Sequence, residues 1–284
     1  MAKIVSSGKA LHSSEFHEQK KKAKRLKRTL MAFAVLILII APFILLRLER
    51  FKVKEIRVLG TVVLAEKEIL ETAREIINEN YLWIVPKSNI LLLPRNRIAE
   101  VLEEKFPRIK FLDQNLVEGR ILEITVGERE PFALYCAEAG HFFEASDCYF
   151  LDDEGFIFAR APSFSGEVYF IYSGMGLEEP LGKKFLEVEQ FVSLFSFITR
   201  LSRFGILPVA FGASLETVEQ TGRYTLYLPN SGTIFWNAEE NLEIIESNLN
   251  SFFASDIVQK ESRFLEKISY MDLTVSNKVF YKFK

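Results

Sequence analysis

An uninterrupted apolar run near the N-terminus is the strongest pattern in the chain. Residues 30–46 read LMAFAVLILIIAPFILL and carry no charged side chain. Together with Thr29 they would form about 27 Å of helix at ~1.5 Å per residue, which nearly matches the ~30 Å hydrocarbon core of a bilayer. The pattern predicts a transmembrane helix over residues 29–47.

Residues 51–127 show strand and helix patterns in turn. Polar and apolar residues alternate over 51–60 as in a half-buried strand, and two segments then repeat apolar residues at helical spacing. Two further strands are predicted on either side of Glu118-Gly119, a pair typical of hairpin turns. The predicted order is β-α-α-β-β, over residues 51–60, 65–80, 94–106, 109–117 and 120–126.

Residues 128–284 have the pattern of a β-rich domain with two or more helices. Helices are predicted at 183–203 and 238–253, and the first should turn Phe185, Val188, Val192, Phe195 and Ile198 to the core. The whole chain is therefore predicted to be α+β. Strands are predicted at 132–136, 148–151, 156–159, 167–172, 205–209, 224–228, 233–236, 271–274 and 279–281.

Charge predicts how the apolar run is oriented. Residues 1–28 hold nine Lys/Arg and two acids, whereas the remainder of the chain is mildly acidic. The positive-inside rule then places residues 1–28 in the cytoplasm as a basic tail and the C-terminal domains outside. A cleaved signal peptide is the alternative, but the run is long for one and no small-residue cleavage site follows it.

Candidate chemistry is sparse outside the tail. The formal net charge is −2 and no basic stripe follows the apolar run, so nucleic acid is not an expected partner. Beyond the tail the sequence has one histidine, His141, and no metal or phosphate-binding motif. We expect no catalytic, cofactor-binding or metal site. Two of the acids Asp152, Asp153 and Glu154 could form a general acid/base pair, but consecutive acids before Gly155 are more typical of a turn.

Cys136 and Cys148 are the only cysteines in the chain. They fall on predicted neighbouring strands outside the cytoplasm, where disulfides persist. A disulfide is the favoured interpretation. A metal site with His141 and Asp147, or two free thiols, are the alternatives.

Several motifs in sequence order resemble the cell-division protein family FtsQ/DivIB. That family has a single membrane anchor, a small β-α-α-β-β POTRA domain and a C-terminal β domain, which here would be residues 29–47, 51–127 and 128–284. The matching motifs are FKVKEIRVLG at 51–60, EREPFA at 128–133, YFLDDEGFIF at 149–158, and MDLT at 271–274 followed by VFY at 279–281.

The resemblance implies a non-enzymatic scaffold of the bacterial divisome in the inner (plasma) membrane. Its implied partners are FtsB-like and FtsL-like coiled-coil proteins, septal peptidoglycan synthesis proteins and the lipid bilayer. An anchored envelope hydrolase and a POTRA-bearing secretion or assembly component are the alternatives. The implied partner-binding residues lie near the C-terminus: Phe264, Tyr270, Asp272, Leu273, Asn277, Val279 and Tyr281.

Overall fold

The computed structural model of the protein has a mixed α+β fold with one N-terminal apolar helix and a large sheet covered by several helices. The structure describes residues 14–82, 85–137, 147–164, 166, 168–214, 222–261 and 263–284. Within these ranges, only the backbone is described for residues 14–19 and for Ile257. His141 and the start of the predicted strand at 167–172 lie outside these ranges.

The N-terminal helix α1 spans Ser14–Leu46. Its stretch Lys20–Leu46 is the one helix in the described residues that is long and apolar enough to cross a membrane. The apolar side chains of this stretch are exposed rather than packed against the remainder of the protein. A core helix would bury them, so this exposure agrees with a helix that is solvated by lipid.

The next segment contains the five elements that the sequence predicts, in the predicted order. Glu118 and Gly119 both have positive φ between the last two strands, as a tight hairpin turn requires. A hairpin of two-residue strands, too short to show a pattern, was not predicted. The elements are β1 (Glu55–Leu59), α2 (Glu66–Asn78), β2 (Asn80–Tyr81), β3 (Val85–Pro86), α3 (Arg95–Lys105), β4 (Ile109–Val117) and β5 (Ile121–Glu128), with sheet order β1-β5-β4.

The large sheet has nine strands among the described residues. They are β6 (Ala133–Cys136), β7 (Cys148–Leu151), β8 (Ile157–Arg160), β9 (Ile171–Gly174), β10 (Ala210–Ser214), β11 (Arg223–Tyr227), β12 (Thr233–Asn237), β13 (Ile268–Asp272) and β14 (Phe280–Phe283). Their order is β14-β13-β12-β11-β10-β9-β6-β7-β8. The pairs β6–β9, β9–β10 and β12–β13 are parallel, and the other pairs are antiparallel.

Helices cover one face of this sheet and form the main core with it. They are α4 (Val188–Arg200), α5 (Leu242–Phe253), α6 (Asp256–Lys260) and α7 (Phe264–Lys267). The core is unusually aromatic, because Phe191 and Phe197 of α4 pack with Tyr172, Phe211 and Trp236 of the sheet. On the opposite face, a smaller cluster around Leu134 and Ile171 is covered by Phe164 and Tyr169.

Two sequence predictions in this region need correction. The helix predicted at 183–203 is present but begins at Val188. Phe185 and Ile198 are buried as predicted, whereas Val192 and Phe195 are 45% and 38% exposed. This segment is apolar on more than one face, so periodicity alone could not identify the buried stripe, which is Phe191, Leu194, Phe197 and Ile198.

The strand predicted at 205–209 is a connection instead. Gly205 ends the preceding 3-10 turn with a φ of 76°, a left-handed conformation that glycine adopts readily. The strand begins only at Ala210.

Contacts divide the chain into two compact units. The first contains the chain up to Leu59, Glu66–Ile98 and Gln114–Ile124. The second contains Gly60–Ala65, Ala99–Asp113 and Thr125–Lys284. The domain boundary expected at residues 127 and 128 stays a prediction.

Candidate functional site

The two outer strands of the large sheet differ in how their edges are covered. At β8, the backbone N–H of Gly182 donates to the Ile157 carbonyl (2.8 Å), and the Ile157 N–H donates to the Lys183 carbonyl (2.9 Å). At the other end, no strand pairs with the outer side of β14 in the part of the chain that is described. Backbone groups on such an edge can pair with a strand from another protein.

The β13–β14 hairpin is anchored to the sheet through its turn. Asp272 Oδ1 accepts hydrogen bonds from the backbone N–H (2.8 Å) and the hydroxyl (2.6 Å) of Thr274. The side-chain amide of Asn237 in β12 donates to the Thr274 carbonyl (3.1 Å). Asn277 adopts a φ of 62°, which asparagine tolerates better than most residues, and reverses the chain into β14. The edge is therefore held in place before any partner binds.

One face of the hairpin belongs to the core. The ring of Tyr281 lies 5.1 Å from that of Phe264 and 5.6 Å from that of Phe252. Phe264 and Leu273 are buried, and Val279 packs against the same cluster. Four of the predicted partner residues therefore support the edge from the core side: Phe264, Leu273, Val279 and Tyr281. A partner could reach fewer of the predicted residues than the sequence suggests.

The other face of the hairpin is exposed. Strand register pairs Tyr270 with Lys282 and Asp272 with Phe280 on this side. Phe280 is 48% exposed and Tyr270 is 36% exposed, although both are large and aromatic. We call Arg223, Phe235, Tyr270, Phe280 and Lys282 the open face.

Two rings and a guanidinium of the open face lie side by side. The Tyr270 ring lies 6.1 Å from that of Phe235, and the Arg223 guanidinium lies 4.9 Å from the same Phe235 ring. Phe280 is the most exposed aromatic residue of the open face, although it is absent from the predicted partner residues. Strict alternation counted from buried Met271 and its opposite residue Tyr281 would have identified it.

The C-terminal segment that forms this edge is basic. Residues 273–284 contain Lys278, Lys282 and Lys284 and no Asp or Glu. Lysines on an edge strand hinder pairing with another copy of the same basic strand. They would attract an acidic partner segment.

The acidic triplet Asp152-Asp153-Glu154 forms a turn that is held by hydrogen bonds and ion pairs. Asp152 is 1% exposed, its Oδ1 accepts from the N–H groups of Glu154 and Phe156 (2.9 Å each), and its Oδ2 lies 2.5 Å from Arg129 Nη1. Lys110 pairs with Asp153 (2.7 Å) and Glu154 (3.4 Å). The predicted turn is present, and its carboxylates are engaged in ion pairs rather than directed at a cavity.

A disulfide joins Cys136 and Cys148 in the structure. The two residues lie directly opposite each other on the antiparallel strands β6 and β7, with Cα atoms 4.4 Å apart. Within the described ranges, no group of three or more His, Cys, Asp or Glu side chains could hold a metal. His141, the third member of the alternative metal site, lies outside those ranges.

Comparison with known protein families finds no family model that matches the chain, and comparison with curated proteins finds no significant match.

Proposed function

We propose that this chain is a membrane-anchored, non-enzymatic scaffold of the bacterial divisome, of the FtsQ/DivIB type. The observation that carries the proposal is the outer edge of β14, which pairs with no other strand among the described residues, beside the exposed aromatic open face. The motif resemblance supports the same reading, with residues 51–127 as a POTRA domain and 128–284 as the β domain. In this proposal α1 crosses the inner (plasma) membrane, with the basic tail in the cytoplasm.

The mode of binding that fits the edge is strand addition. An extended partner segment would pair its backbone with the outer side of β14, and alternate side chains would contact the open face. Phe280 and Tyr270 are the aromatic type that anchors interfaces once water is excluded. Phe264 and Tyr281 would act indirectly by holding β14 against the core.

The positive charge of the β14 edge indicates which residue types the partner segment would carry. Lys282 and its neighbours favour a segment that carries Asp or Glu beside its apolar residues. The family resemblance proposes an FtsB-like protein as the direct partner. An FtsL-like protein and the septal peptidoglycan synthesis proteins would join through it.

Replacing Phe280→Glu tests the proposal. The full-length chain in lipid nanodiscs would be titrated with the FtsB-like and FtsL-like proteins of the same organism. We expect the affinity to fall roughly tenfold or more, because an exposed aromatic anchor is lost and an acidic side chain would repel an acidic partner. The thermal midpoint should hardly change, since the Phe280 side chain is half exposed.

Leu207→Glu is the matched control for this experiment. Leu207 is also a large exposed apolar residue of the second unit, but it precedes β10, which is four strands from β14 in the sheet order. Its affinity should equal that of the unchanged protein. Equal binding by the Phe280→Glu variant and this control would contradict the proposed surface.

A further inference from the structure

Exposed apolar side chains gather beside the point where the chain leaves α1. They come from the β2–β3 hairpin and from the segment just after it. We call Tyr81, Leu82, Leu91 and Leu92 the apolar collar. Leu82 and Leu91 are 89% and 69% exposed, which is extreme for leucine. One exposed leucine needs no explanation, but a cluster of exposed apolar residues is typical of a contact surface.

Hydrogen bonds fix the apolar collar next to the end of the helix. Asn89 is fully buried, and its side-chain Nδ2 donates to the carbonyl of Leu46, the last residue of α1 (2.7 Å). The same side chain accepts from the Leu91 N–H through Oδ1 (2.9 Å). Leu91 is two residues beyond Asn89, a separation of at most about 7 Å. It therefore lies within a short distance of the helix end.

Further backbone bonds hold the same segment against the chain that leaves the helix. The Val53 N–H donates to the Ser88 carbonyl, and the Ile90 N–H donates to the Phe51 carbonyl (2.8 Å each). The Tyr81 hydroxyl donates to the Leu92 carbonyl (3.1 Å), which joins the hairpin to this segment. All of these residues belong to the first compact unit.

The backbone of Leu82 shows that a leucine is not what the turn itself favours. Its φ is 45°, in the left-handed region that suits glycine or asparagine. Its side chain makes no use of the core, because it is almost fully exposed. A leucine at such a position is better explained by a contact outside the protein.

The chain around the apolar collar is also basic. Residues 47–54 contain Arg47, Arg50, Lys52 and Lys54 and a single acid, Glu49. Basic residues at this position are attracted to anionic lipid headgroups. Tyrosine with its polar tip and leucine with its apolar side chain are suited to the boundary between headgroups and acyl chains.

We propose that the apolar collar inserts into the interfacial layer of the bilayer at the outer end of α1. This second membrane contact would hold the first unit against the lipid surface rather than leave it suspended on a flexible stalk. The proposal rests on the membrane anchoring proposed above. A second copy of the chain covering the same residues is the competing occupant.

Spin labels in the full-length chain, reconstituted in phosphatidylethanolamine–phosphatidylglycerol vesicles, test the proposal. Labels would be attached at Leu91→Cys and Leu82→Cys, with Leu207→Cys as the exposed control and the native disulfide left unreduced. Oxygen concentrates in lipid and a water-soluble nickel chelate stays in water. We expect the ratio of oxygen to nickel accessibility to be several-fold higher at both collar positions than at position 207.

Each other result overturns the proposal. A nickel accessibility at positions 82 and 91 equal to that at 207 would place the apolar collar in water. Low accessibility to both reagents would mean that protein, such as a second copy, covers it. A label at Ile37→Cys in α1 tests the membrane anchor separately from the apolar collar. If Ile37 is in lipid and the collar is wet, only the collar proposal fails, whereas a wet Ile37 means that the membrane anchor fails too.

Discussion

At the scale of single residues, Glu128 shows how a motif position stabilises the entry to a helix. Its carboxylate accepts the backbone N–H groups of Val62 (2.7 Å), Val63 (3.0 Å) and Leu64 (2.9 Å), just before α2 begins. Burial would raise the pKa of this carboxyl, but the three N–H donors lower it more, and the net pKa lies below the ordinary glutamate value.

Replacing Glu128→Gln should lower the free energy of unfolding at neutral pH by about 1–3 kcal/mol, because charge-assisted bonds to three N–H groups are weakened. Thermal or urea unfolding of the full-length chain in detergent measures this. A group whose pKa is lowered by folding stabilises the protein above its unfolded pKa of about 4.3. The difference between the two proteins should therefore shrink as the pH falls through the lowered pKa.

Glu130→Gln is the control, since Glu130 is exposed and two residues away. Its stability should stay within about 0.5 kcal/mol of the unchanged protein. A Glu128→Gln variant that matches this control at neutral pH would show that the carboxylate does not stabilise the helix entry.

Single residues also show what the sequence could not reveal. The Asp152–Gly155 turn was predictable, because Asp and Gly are the residue types that such turns need. The ion pair between Asp152 and Arg129 was not, since the two residues are 23 positions apart and only the fold brings them together. The stacking of the Arg129 guanidinium 4.0 Å from the Phe156 ring was hidden for the same reason.

At the scale of elements, the covalent link between β6 and β7 makes the clearest prediction. Protein isolated from its native cells without reductant should yield one peptide pair linking Cys136 to Cys148 by mass spectrometry. Closing a loop of this length stabilises a protein by about 3 kcal/mol in the chain-entropy model. A Cys136→Ser, Cys148→Ser double variant should therefore unfold at lower temperature.

The same double variant supplies the control, because reductant should lower the thermal midpoint of the unchanged protein and leave that of the variant unaltered. Recovery of two alkylated thiols from unreduced native protein would contradict the linkage.

Elements were predictable to the extent that their periodicity was unambiguous. The β4–β5 hairpin follows from the turn pair Glu118-Gly119 between two strand-like segments, and its bounds agree with the prediction within two residues. The buried face of α4 was not predictable, because the helix carries apolar residues on more than one of its faces. The connection at 205–209 was mistaken for a strand because its apolar residues carry no sign of the turn that Gly205 imposes.

At the scale of the whole molecule, the apolar helix was visible in the sequence, whereas the site was not. A run of apolar residues that is long enough to span a bilayer predicts a lipid environment without reference to any other segment. Strand order depends instead on contacts between distant segments, such as the parallel pairing of β12 with β13 across the helices between them. The sequence could suggest that the last strand binds a partner. Only the fold places β14 at an edge and pairs Tyr281 with the buried Met271, from which alternation identifies the exposed Phe280.

Amide hydrogen exchange of β14 tests the central claim most directly. The full-length chain in nanodiscs would be measured alone and with the FtsB-like protein of the same organism. Strand addition predicts that outward-pointing N–H groups within Phe280–Phe283 exchange roughly tenfold slower or more when the partner is bound, because they gain backbone acceptors. Binding of that partner with unchanged exchange throughout β14 would contradict the account.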